Sequence, residues 1–236
     1  MRVRNSKRAS FVGYILHIDT ATAIGSVCLA KDGQEIATVV NEQQKDHAAS
    51  MIPIIQSILK DAGIRGQDLD AIAVSAGPGS YTGLRVGVAT AKGLAYTWEK
   101  PLIAISTLQM MAQGMYAITG DENAFYVPMI DARRMEVFTA VYDSSLKIID
   151  TPGAKILEPT TFQEILKEHT VYFFGDGAAK WQQLLPPIEK AHFPTYTISA
   201  AHMIPLAAKA YRDSDFADLA YFGPDYLKAF YHPSKK

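Results

Sequence analysis

Apolar positions come along this chain first in short runs and then at helical spacing, and the alternation between the two predicts an α/β protein. Tyr14 to Asp19, Gly25 to Ala30 and Glu35 to Asn41 read as strands, with Asp32-Gly33 between the last two as a hairpin signal. From His47 to Ala62 the period changes to about 3.6, predicting a helix capped by Asp46, closed at Gly63 and bent by Pro53. A buried strand at Asp70 to Ser75 follows, then a glycine-rich loop from Gly77 to Gly83, a helix from Leu84 to Tyr96 and a strand from Leu102 to Ile105. The plan then returns. Phe125 to Asp131, Glu136 to Tyr142 and Lys147 to Ile149 read as strands, Thr161 to Glu168 as a helix and Val171 to Phe174 as a strand. A repeated order of this size implies two similar lobes with a boundary near Ser106 to Gly120. The expected division is a basic tail over 1–13, a first lobe over 14–106 and a second over 107–236, with a last helix able to return to the first lobe.

Composition narrows the class. The 236 residues carry 23 Lys+Arg against 24 Asp+Glu, a formal net charge of -1 that lacks the electrostatic pull of proteins gripping nucleic acid unaided. Cys28 is the sole cysteine, so neither an intramolecular disulfide nor a thiolate zinc site can form, and a reducing cytoplasm is the expected compartment. No apolar run reaches the length of a membrane span. Arg2, Arg4, Lys7 and Arg8 ahead of Phe11 to Leu16 mimic a signal peptide, but the apolar stretch is short and runs into His17 and Asp19 as the start of a strand. The tail therefore reads as a disordered basic arm.

The strongest chemical signal is Ser75-Ala-Gly-Pro-Gly-Ser-Tyr-Thr-Gly-Leu-Arg85, a glycine-rich turn between a buried strand and a helix. Such a junction aims backbone NH groups and the positive helix end at one point, where an anion would sit. It lacks the Gly-Lys-Ser/Thr ending of a Walker loop. Gly77, Gly79 and Gly83 equally suit a tight turn with close strand–helix contact and Thr82 as cap. A second signal is the strand-end Asp19 followed by Thr20 and a hydroxyl-rich hairpin, and a third is Gly175-Asp176-Gly177 after a strand of the second lobe. Asp19, Thr20, Gly77, Gly79 and Ser80 are the phosphate-site candidates. The six histidines show no metal-ligand spacing, and no Gly-x-Ser-x-Gly elbow surrounds Ser80. An ATP-dependent small-molecule kinase stays open, with Asp131 as its base or as a carboxylate paired with Arg133 or Arg134.

The segments Ile18-Asp-Thr-Ala21, Ile52-Pro-Ile-Ile55, Ser75 to Leu94, Ile105-Ser-Thr-Leu108 and Ile130-Asp-Ala-Arg-Arg-Met-Glu-Val137 together resemble the TsaB (YeaZ) family, from about Ile15 to Leu227. The resemblance implies a two-lobed actin-like ATPase fold, α/β with duplicated mixed-sheet lobes, in which the Asp19 hairpin corresponds to the one that wraps ATP phosphates. It implies a non-catalytic partner of a TsaD-like paralogue. With a TsaE-like ATPase and the enzyme supplying threonylcarbamoyl-adenylate, that pair installs threonylcarbamoyl on the adenosine beside the anticodon of tRNAs reading codons that begin with A. On this basis tRNA is met only through the complex, and ATP and a divalent metal belong to partner subunits, with no cofactor bound by this chain alone. The paralogue carries a His-x-x-x-His metal pair where this sequence has Thr107 and Met111, neither of which suits a transition metal as imidazole does.

The partner surface is expected on the helix after the glycine loop. Leu84, Gly87, Val88, Ala91, Leu94 and Ala95 share one face, which would cover the sheet. Val86, Ala89, Thr90 and Gly93 on the other side form a stripe of small residues with few charges. Ile52, Ile55 and Leu59 of the preceding helix would widen that platform. The same surface would let the chain pair with a second copy when the partner is absent.

Overall fold

The computed structural model describes residues 13–41 and 47–228. β1 (Tyr14–Asp19), β2 (Gly25–Lys31) and β3 (Gln34–Asn41) form an antiparallel meander. α1 (His47–Asp61) and a 3-10 turn at Gly66–Asp68 lead to β4 (Ala71–Gly77), parallel to β1. α2 (Tyr81–Trp98) and β5 (Leu102–Ser106) complete a sheet ordered β3-β2-β1-β4-β5. α3 (Thr107–Thr119) begins at once. β6 (Phe125–Asp131), β7 (Glu136–Tyr142), β8 (Ile148–Ile156), α4 (Gln163–Glu168), β9 (Val171–Phe174), α5 (Ala178–Gln182) and β10 (Ala191–His192) build the second sheet. Its order, β8-β7-β6-β9-β10 from one edge, repeats the first strand for strand. A 3-10 turn at Ala200–Met203 and α6 (Ile204–Asp213) follow.

Strand alternation sorts the apolar side chains into three layers. Leu16, Ile18, Ile72 and Val74 face Met51, Ile55 and Ile58 of α1 and Val88, Ala91 and Ala95 of α2. Ile15, Ala73 and Ile103 on the opposite face share a middle layer with Met110, Met111 and Met115 of α3, Ile204 and Ala207 of α6, and Tyr126 and Phe174 of the second sheet. The outer face of that second sheet packs Val127, Met129 and Phe173 on Phe162 and Trp181. Each of the valine, leucine, isoleucine, methionine and phenylalanine side chains among them, fully buried, contributes on the order of 1.5–3 kcal/mol. The last helix thus lies on the first sheet as well as the second.

Several elements depart from the sequence pattern. β8 runs from Ile148 to Ile156, well beyond the expected end at Ile149, and passes through Pro152 and Gly153; it is an edge strand, where a missing NH costs no ladder bond, and its register with β7 is irregular there. α2 starts at Tyr81, which puts Gly83 in its first turn, and Ser80 rather than Thr82 is the cap, its hydroxyl accepting from the Gly83 amide at 3.2 Å. α3 escapes the periodicity because it is apolar nearly all round, being wedged between two sheets. Of the expected tail only Gly13 is among the described residues, and Asp46 lies outside them.

Candidate functional site

The Asp19 hairpin and the glycine loop meet, but their polar groups are turned on one another. Asp19 and Thr20 are wholly buried. Asp19 Oδ1 accepts from the Ala21 amide at 3.0 Å, the Thr20 hydroxyl donates to the Gly83 carbonyl at 2.7 Å, and the Ser80 amide donates to the Ala21 carbonyl at 2.6 Å. Backbone oxygens crowd the glycines. A Cβ at Gly79 would lie 2.2 Å from Ala21 O, one at Gly83 2.1 Å from Thr20 O, and one at Gly77, whose φ is +122°, 2.3 Å from Asp225 O. The absent side chains therefore serve close contact between hairpin, loop and the chain's C-terminal segment. Of the five phosphate candidates, Ser80 alone is exposed, and its hydroxyl is engaged as the cap of α2.

In the second sheet the equivalent strand-end acid is Asp131. Its Oδ1 accepts from Lys180 Nζ at 2.6 Å and from the Arg133 amide at 2.5 Å, while its own amide donates to Asp176 Oδ1 at 2.9 Å. Partial burial opposes its charge, yet the Lys180 ammonium and the Arg133 amide hold the carboxyl below the usual carboxylate range. A general base should sit nearer neutrality, so the kinase assignment loses its base to a lysine that sequence spacing did not suggest. In place of the expected guanidinium pair with Arg133 or Arg134, the carboxylate takes the Lys180 ammonium and the backbone amide of Arg133.

Between the sheets lies a group that no motif announced. Tyr196 packs edge-on against Phe174 of β9, and its hydroxyl is 2.8 Å from His202 Nδ1. His202 rests on Gly114 of α3, where a Cβ would meet its ring at 2.4 Å, and the neighbouring Ala200 amide donates to Ser26 Oγ of β2 at 2.8 Å. Loss of solvent, reinforced by the charge of Asp19, raises the Tyr196 phenol well above its ordinary range. Residues 196–203 thus fill the space beside the Asp19 hairpin with the chain's own side chains.

α2 shows its surface as three strips. Of the face expected to cover the sheet, Leu84, Gly87, Val88, Ala91 and Ala95 are buried and Leu94 is half-buried, while Gly83 is buried with them. Tyr81, Arg85 and Lys92 are covered or bonded by the C-terminal segment. Ala89 and Gly93 remain exposed, flanked by the half-buried Val86 and Thr90, and a Cβ at Gly93 would meet nothing within 4 Å. The α1 contribution needs correcting: Ile55 and Leu59 are 2% and 7% exposed and belong to the core under α1, whereas Ile52 is 40% exposed. Thr107 is buried at the start of α3 and Met111 lies within the middle layer; the described residues hold no cluster of three His, Cys, Asp or Glu that could bind a metal. No helix among them is long and apolar enough to cross a membrane.

A family model described as TsaD, tRNA N6-adenosine threonylcarbamoyltransferase, matches residues 35–223. The tRNA threonylcarbamoyladenosine biosynthesis protein TsaB of Bacillus subtilis is 30% identical over 222 residues, spanning 91% of this chain and 93% of that protein. The chain belongs to the TsaB family. The Escherichia coli TsaB is 41% identical over 132 residues, 54% of each chain. YeaZ from Pseudomonas aeruginosa superposes with a TM-score of 0.77 at 25% identity, over 92% of this chain and all of that one. The activator of the 2-hydroxyisocaproyl-CoA dehydratase from Clostridium difficile, solved with ADPNP, gives a TM-score of 0.51 at 9% identity and shares the fold alone. The TsaB fold seen here is accordingly the two-lobed actin-like α/β architecture, with both sheets of one topology.

Proposed function

We propose that this chain is the non-catalytic subunit of a machine that makes threonylcarbamoyladenosine in tRNA, binding a TsaD-like paralogue through the open strip of α2. The observation that carries the reading is the kinship to a TsaB over nearly the whole of both chains. Three features support the absence of chemistry in this subunit: Asp131 is paired with Lys180, residues 196–203 pack beside the Asp19 hairpin, and the buried Thr107 and Met111 stand at the positions of the paralogue's metal ligands. Small side chains at Ala89 and Gly93, beside Val86 and Thr90, let a partner helix approach closely, and the exposed Ile52 of α1 offers it a further apolar contact. ATP, a divalent metal and a TsaE-like ATPase then belong to the rest of the assembly, and tRNA is met there.

Depletion of the chain followed by nucleoside mass spectrometry of bulk tRNA tests the role, together with capture of the paralogue on the chain tagged at its N-terminus. Loss of the modified nucleoside with capture of the paralogue is the expected result. Unchanged nucleoside levels on depletion would overturn it, and micromolar Mg-ATP binding with turnover of a small alcohol by the purified chain would favour the kinase instead.

A further inference from the structure

After α6 the chain returns along the first sheet, and Lys228, the last described residue, reaches the second. The Ala217 amide donates to Leu102 O of β5 at 2.8 Å, and Ala217, Leu219 and Phe222 pack on the apolar layer beneath α2. Lys92 Nζ donates to Phe222 O at 2.7 Å and to Ala220 O at 3.4 Å. Asp225 then sits on the glycine loop, its amide donating to Ala76 O at 2.7 Å and its carbonyl filling the space that a side chain at Gly77 would need. The Tyr226 ring lies 4.8 Å from that of Tyr81, and its hydroxyl accepts from Arg85 Nε at 3.2 Å. Two residues on, Lys228 forms an ion pair with Glu136, the first residue of β7, whose carbonyl also accepts from Lys180 Nζ.

We propose that Ala217–Lys228 is a clasp that fixes the angle between the two lobes, which would otherwise pivot on the middle layer around α3 without parting it. The middle layer joins the lobes through their facing sides, and the segment spans from the end of β4 to the start of β7. The two anchors differ in strength. The first-lobe anchor combines backbone bonds, a lysine bridging two carbonyls, a stacked tyrosine and a glycine that admits the chain. The second rests on the Lys228–Glu136 pair, whose side chains are 47% and 20% exposed; pairs of this kind contribute roughly 0–1 kcal/mol and weaken as salt screens them. The clasp therefore lets go at the second lobe first and stays attached to α2.

The test uses the full chain carrying Thr82→Cys and Met135→Cys, both exposed positions, spin-labelled for pulsed distance measurement. Cys28 does not compete for label, being buried with its thiol pushed up to about 12. A single narrow distance is expected for the parent. Lys228→Glu should raise the population of a longer distance by up to about fivefold, and removal of residues 224–236 should raise it further. The double swap Lys228→Glu/Glu136→Lys should restore the narrow distribution. The proposal is overturned if the parent distribution survives Lys228→Glu, or if the double swap fails to restore it. Should the truncated chain not fold, the charge-reversal pair decides alone.

Discussion

The hydroxyl of Thr20 donates to the carbonyl of Gly83 at 2.7 Å, and neither Gly83 nor Gly87 leaves room for a Cβ against Thr20. The hairpin that ends β1 and the first turns of α2 therefore touch backbone to backbone. The position of α2, and with it the orientation of its open strip, is set by that contact.

Alanine at two glycines of the same helix should accordingly act in opposite directions. Gly83→Ala places a methyl 2.1 Å from Thr20 O and should destabilise by about 1–3 kcal/mol, whereas Gly93→Ala meets nothing and should stabilise by up to about 1 kcal/mol through helix propensity. Urea midpoints of the two variants check this. An unshifted midpoint for Gly83→Ala would mean that α2 can move away at no cost.

A charge on the open strip should separate binding from folding. Ala89→Glu is expected to lower affinity for the paralogue at least about 100-fold while the melting temperature stays within a few degrees, because an unpaired charge buried on docking costs about 3–5 kcal/mol. Ile52→Glu should weaken binding in the same way. Ile55→Glu, by contrast, should unfold the chain, since Ile55 is 2% exposed within the core. Calorimetry of the purified variants with the paralogue reads all three, and wild-type affinity for folded Ala89→Glu would exclude the strip.

Acid should weaken the fold through His17. Burial lowers its pKa from 6.5 to about 4, against the opposing pull of the Cys28 carbonyl. The unfolded chain then takes up a proton that the folded chain refuses, so stability falls as pH drops from about 6.5 to about 4, by roughly 3 kcal/mol in all. His202, lowered by burial too, adds in the same direction. Denaturant melts at pH 7, 5.5 and 4.5 should show a shallower pH slope for His17→Gln than for the parent. Equal slopes would assign the acid sensitivity elsewhere.

Asp131→Asn should leave the level of threonylcarbamoyladenosine within about twofold of the parent in a depleted strain. The carboxylate of Asp131 is spent on Lys180 and the Arg133 amide, and an exposed pair of this kind contributes about 0–1 kcal/mol. Loss of the modified nucleoside with the complex intact would give Asp131 a chemical role.

The buried face of α2 was legible in the sequence because Leu84, Val88, Ala91 and Ala95 recur at helical spacing over a single sheet. The arc of α1 was legible only as apolar: periodicity shows that Ile55 and Leu59 avoid water, and cannot say whether the chain's own sheet or another protein keeps it away. α3 carries Met110, Met111 and Met115 between two sheets and has only Gln109 and Gln113 on its more open side, which gives a period little polar contrast to stand on. Glycine-rich spacing likewise marks a close approach without naming what approaches. At Gly79 and Gly83 that neighbour is the backbone of Ala21 and Thr20, and at Gly77 it is Asp225, far along the chain. Lys180 and Tyr196 join their sites through tertiary packing alone, which leaves no local signature.

The middle layer has a consequence for how the chain comes apart. Ile15 and Ile103 on one sheet and Tyr126 and Phe174 on the other rest on the same methionines, so neither half owns the apolar floor it stands on. Pulling the halves apart would wet both at once. Heat should therefore melt the molecule in a single cooperative transition, and a fragment cut at Ser106, for all its complete five-stranded sheet, would be a half-built house with one wall open to the rain.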